Sequence, residues 1–74
     1  MNHLYGVEQM NWDRIEGNWK VLKGKVRERW GRLTDDDLDI IHGKRDQLEG
    51  RIQEIYSIAR DEARKQVEEF AKTL

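Results

Sequence analysis

Shifted against itself by 26 residues, the sequence repeats. Trp12, Ile15, Gly17, Leu22, Gly24, Val26, Glu28 and Trp30 fall on Leu38, Ile41, Gly43, Leu48, Gly50, Ile52, Glu54 and Tyr56. Apolar residues meet apolar residues, and glycine meets glycine. Each unit reads as a short helix, a glycine and a longer helix. One such unit has a single apolar stripe and must bury it against something. Two helical hairpins packed face to face meet that need, with a C-terminal helix covering an open side. The expected class is all-α, a small bundle of four to five helices.

The helical spacing supports this reading. Asn11 can cap a short helix over Trp12–Glu16, with Asp13 in its first turn. From Asn18 onward, Trp19, Leu22, Val26, Trp30 and Leu33 lie three or four residues apart and make one stripe. Gly17 bounds that helix on one side, and Gly31 suits a left-handed C-cap on the other. Thr34 to Asp37 resembles a capping box with Asp in place of Glu, and Asp35, Asp36 and Asp37 meet the helix dipole. This third helix should pass Leu38 and Ile41 and stop near Gly43. Leu48, Ile52, Ile55, Tyr56 and Ala59 line the next one. Their pattern can continue through Ala63, Val67, Phe70 and Leu74, and a break or bend is expected near Ser57.

Composition narrows the function. The 74 residues make one domain. Charged residues are 39% of the chain and the formal net charge is -1. Seventeen residues are Leu, Ile, Val or Phe, just above the composition at which disorder is expected. The absence of Pro favours helix throughout. With no Cys, disulfides, thiolate catalysis and Cys-based zinc sites are excluded. No apolar run approaches the roughly 18 residues of a membrane span. The first ten residues, MNHLYGVEQM, lack the basic and apolar regions of a secretory signal. A cytoplasmic protein without a membrane role is expected. Charge is uneven: residues 1–33 carry seven Lys/Arg against four Asp/Glu, and residues 34–74 carry seven against eleven.

Two stretches carry a family resemblance. They are W-K-x-x-K-G-K-V-x-E-x-W-G-x-L-T-D-D-D from Trp19 and G-K-R-D-Q-L-x-G-x-I-Q-E-x-Y from Gly43. The chain resembles the CsbD-like family of small bacterial stress proteins from Met10 to about Phe70. That resemblance implies two helical hairpins packed roughly orthogonally, and cytoplasmic, stress-induced expression. It transfers no catalytic or ligand-binding residue, because the family has none established. Members tend to begin near MNWD, so residues 1–9 are expected to be a flexible N-terminal extension and 10–74 the single domain. Where relatives often read Tyr-Gly, this chain has Tyr56-Ser57, which leaves the start of the last helix open.

Candidate site residues are few. Asp35, Asp36, Asp37 and Asp39 lack the glycine and distal glutamate of a calcium loop, and a solvated helix N-terminus accounts for them. His42 has no metal-binding or nucleophile-activating neighbour in sequence and reads as a surface residue near a cap. No cofactor, no metal and no enzymatic activity are expected. Trp19, Trp30 and Tyr56 fall on the apolar stripes and read as core, whereas Trp12 is the aromatic expected to stay partly exposed. Lys20, Lys23 and Arg27 share one side of their helix and form the candidate surface for nucleic acid. Gly24 and Gly50 sit opposite the stripes of their helices. Either they admit the close approach of another backbone, or they keep two helices weak.

Three functional expectations follow. The first is a non-enzymatic, highly soluble stress-response protein, protective or acting through weak protein contacts. The second is a nucleic-acid module using the Lys20, Lys23 and Arg27 face of the Asn18–Trp30 helix. The third is an oligomeric interaction domain.

Overall fold

The computed structural model describes residues 12–74. The expected cap at Asn11 and the expected extension over residues 1–9 lie outside the described residues. Five helices follow one another among the described residues, with no strand. They are α1 at 12–17, α2 (Trp19–Arg29), α3 (Asp35–Ile41), α4 (Arg45–Tyr56) and α5 (Arg60–Lys72). The 26-residue repeat maps onto this order: α1 and α2 form one unit, and α3 and α4 the other. Helix α5 stands outside the repeat and packs mainly on α4.

The apolar stripes meet in one cluster. Ile15, Trp19, Val26, Trp30 and Leu33 come from the first unit, and Leu38, Ile41, Leu48 and Ile52 from the second. Ala63, Val67, Phe70 and Ala71 of α5 close it. Complete burial of a Leu or Ile side chain contributes about 1.5–3 kcal/mol. Val26, Trp30 and Leu33 of the first unit and Leu38, Ile41, Leu48 and Ile52 of the second are at most 1% exposed, so both units build the centre. Trp12 is also buried, at 9% exposure. This corrects the expectation that it stays partly exposed: its position in the repeat matches Leu38, and both join the core cluster.

Polar anchors fix how the units meet. Trp19 Nε1–H donates to the Leu38 carbonyl at 2.9 Å, tying α2 to α3 across the core. Trp30 Nε1–H donates to Gln66 Oε1 at 3.0 Å, and the Trp30 and Phe70 rings lie 5.2 Å apart. Tyr56 Oη accepts from the Arg32 backbone N–H at 3.0 Å, linking the end of α4 to the loop after α2. Among the described residues no buried side-chain polar atom lacks a partner. A core this small could not absorb the cost of many unpaired polar groups.

The helix ends differ in quality. Thr34 and Asp37 form the expected capping box: the Thr34 side chain accepts from the Asp37 N–H at 3.1 Å, and Asp37 Oδ2 accepts from the Thr34 N–H at 3.0 Å. Helices α2, α4 and α5 have no side-chain hydrogen bond at their N-caps. Helix α3 ends at His42, which is left-handed at φ 49°, followed by Gly43 at φ 79°. The expected left-handed cap at Gly31 is not formed. Helix α2 ends earlier, at Trp30 (φ -127°), whose N–H still reaches the Val26 carbonyl. Burial of the Trp30 ring therefore sets the exit of the chain, and Gly31 keeps an ordinary φ. The break at Ser57 is present: α4 stops at Tyr56, and Ser57 is left-handed at φ 53°.

Candidate functional site

The expected basic surface is built on α2. Trp19 and Val26 point inward and fix the helix's rotation, which turns Lys23 and Arg27 toward α3. There they meet aspartates. Lys23 Nζ lies 2.7 Å from Asp39 Oδ1, and Arg27 Nη1 lies 2.7 Å from Asp35 Oδ1. The two helices run antiparallel through these pairs, since 27 faces 35 and 23 faces 39. Lys20 is exposed and takes part in no ion pair among the described residues. Two of the three residues proposed for a nucleic-acid surface thus already face carboxylates. Both pairs are solvent-exposed and each is worth at most about 1 kcal/mol. They lower the local field more than they stabilise the fold.

Asp37 points to the other side of α3, where Arg51 Nη1 of α4 lies 3.7 Å away. The Thr34 backbone N–H holds the Asp37 carboxyl below its ordinary value; burial opposes this, and the Thr34 side chain and the Arg51 charge reinforce it. Asp35 and Asp39 thus face α2, and Asp37 faces α4. Among the described residues no group of three or more His, Cys, Asp or Glu could hold a metal ion. His42 is exposed at the end of α3, as expected from its place before Gly43.

The two interior glycines behave alike. A Cβ built on Gly24 or on Gly50 would meet no atom within 4 Å. Within the chain, no other backbone approaches Gly24 or Gly50. The crowded glycine is Gly43, where a Cβ would lie 2.7 Å from Glu16 Cα. Sequence reading placed Gly43 at the end of a helix and missed its contact with α1. The repeat carried no signal for it, because its counterpart Gly17 faces open space.

A concavity of about 710 Å³ lies between α1, the start of α4 and α5. Its walls are charged and mixed in sign. Lys44 Nζ lies 3.6 Å from Glu16, and Arg45 bridges Glu49 at 3.0 Å and Glu68 at 3.1 Å. Glu49 is the one charged residue that is buried among those described, and Arg45 answers it. The bridge joins α4 to α5. Sequence reading missed it because Glu68 is 23 residues from Arg45. Its charged side chains are arranged as an ion-pair network.

Comparison with known proteins places these elements. A family model described as CsbD-like matches residues 13–65, from α1 into the first half of α5. The chain belongs to the CsbD-like family. Its CsbD-like relatives include UPF0337 protein YjbJ of Escherichia coli strain K12, 62% identical over 58 residues, covering 78% of this chain and 84% of the relative. UPF0337 protein RPA4217 of Rhodopseudomonas palustris is 60% identical over 65 residues, covering 88% of this chain and 98% of the relative. UPF0337 protein NE2439 of Nitrosomonas europaea is 60% identical over 62 residues, and there the match spans 66% of the relative's length. The CsbD-like match covers both repeat units, so the expected family and the all-α fold are both found. No helix of the described residues is long and apolar enough to cross a membrane.

Proposed function

We propose that this CsbD-like protein is a non-enzymatic, cytoplasmic stress-response protein that protects other proteins through its hydrated surface and weak contacts. The observation that carries the reading is the pairing of the basic face of α2 with the aspartates of α3. With 39% charged residues and a net charge of -1, the chain interleaves both signs instead of segregating them. Such a surface stays hydrated and soluble without attracting one class of polyanion. The same pairing weighs against the nucleic-acid reading, since Lys23 and Arg27 would have to leave Asp39 and Asp35 to reach phosphates.

Recovery of a labile enzyme after drying or heating tests the proposal. The protein should preserve more activity than an equal mass of an inert protein. Equal recovery would refute it. A parallel titration with DNA and RNA at low salt should show no binding. Binding that weakens steeply with added salt would favour the Lys20, Lys23 and Arg27 surface instead.

A further inference from the structure

We propose that α5 is an exchangeable arm: the hinge after Tyr56 can straighten, and α5 then seats on a second copy of this chain. Four observations converge on that hinge. First, apolar residues run through it without a phase break. Leu48, Ile52, Ile55, Ala59, Ala63, Val67, Phe70 and Leu74 succeed one another at helical spacing. Second, the hinge residues Ser57, Ile58 and Ala59 include neither glycine nor proline, so nothing in their covalent structure enforces a break. Third, Ser57 is held left-handed at φ 53° and ψ 47°, a conformation that a residue with a Cβ adopts at a cost. Fourth, the N-cap of α5 is Ala59, which has no side chain able to accept from the first N–H groups of the helix.

A continuous helix from Arg45 to Lys72, roughly 40 Å long, removes the third and fourth costs together. The Ser57 backbone relaxes, and the first N–H groups of α5 bond to the last carbonyls of α4. What opposes opening is loss of cover. Ala63, Val67, Phe70 and Ala71 leave the core, and Trp30, Leu48 and Ile52 are uncovered. A second copy restores that cover with the same atoms. The hydrogen bond from Trp30 to Gln66, the ion pair from Arg45 to Glu68 and the tilted ring contact of Trp30 with Phe70 re-form between chains. The partner is therefore a second copy, because no other surface reproduces this set. Short strained hinges are where such exchange concentrates, and it is driven by concentration.

The full chain, unfolded and refolded at millimolar concentration, is the material for the test. Sedimentation should show a dimer that persists on dilution. Ser57→Ala disfavours the left-handed hinge and should raise the dimer-to-monomer ratio about tenfold. Ser57→Gly adopts the left-handed hinge without strain and should lower that ratio below wild type. In a dimer refolded from isotope-labelled and unlabelled chains, the Trp30–Phe70 contact should appear as an intermolecular nuclear Overhauser effect. The proposal is overturned if wild type and Ser57→Ala stay monomeric throughout. It is equally overturned if Ser57→Gly leaves the ratio unchanged, or if the dimer keeps that contact strictly within each chain. Should Ser57→Ala fail to fold, the wild type and Ser57→Gly decide it alone.

Discussion

At the scale of single residues, glycine carries most of the information. Gly24 and Gly50 lie inside helices and face open space, so their cost of about 0.5–1 kcal/mol each has no packing return within the chain. Alanine at either position should raise stability by roughly that amount in urea unfolding. The double variant should show the sum, because the sites share no partner. Gly43→Ala should do the opposite and lower stability by more than about 1 kcal/mol. Its backbone is left-handed, and the added carbon would meet Glu16 Cα at 2.7 Å. The sequence distinguished interior glycines from boundary glycines by their offset from Trp19 and Leu48. It could not show that Gly43 touches α1, because that contact depends on where the hairpins meet. Trp12 makes the same point: its place in the repeat was visible, but the depth of its burial depends on tertiary packing.

At the scale of elements, α3 is the most precisely specified helix and also the shortest of the four after α1. It has the one complete capping box among α2 to α5, and its aspartates reach Lys23, Arg27 and Arg51. Thr34→Ala should cost about 1 kcal/mol, read as a lower urea midpoint. The pH dependence follows from Asp37. Its folded-state value is lowered, so its contribution is present above its ordinary value of 3.8 and is lost as the pH falls through the lower, folded value. The difference in stability between wild type and Asp37→Asn should therefore be full at neutral pH and vanish in strong acid. A constant difference across that range would contradict the assignment. The capping box was legible because its chemistry lies within four consecutive residues. The pairs from α2 to α3 were legible only as an imbalance of charge between the two halves of the chain. Which cation meets which aspartate depends on the rotation of α2, which Trp19 and Val26 set. Gly31 misled for a related reason: it has a residue type suited to a cap, but the buried Trp30 ends the helix first.

At the scale of the whole molecule, two similar units and one added helix enclose a small core under a surface of mixed charge. The repeat made the all-α architecture legible, and the motifs around Gly24 and Gly50 made the family legible. Function was harder to read, because the proposed protection through a hydrated surface would leave no spaced set of residues as a catalytic site does. The charged cleft beside α5 illustrates this: Glu16, Lys44, Arg45, Glu49 and Glu68 spend their charges on one another. On this account protection belongs to the hydrated surface as a whole. The most direct test is recovery of a dried labile enzyme as a function of protein concentration, for wild type and for an Arg64→Ala variant, whose side chain lines the cleft. The account predicts a graded rise well beyond equimolar ratio, the same for both proteins. Saturation at one protein per enzyme, or loss of protection in the Arg64→Ala variant, would contradict it and point to a discrete site.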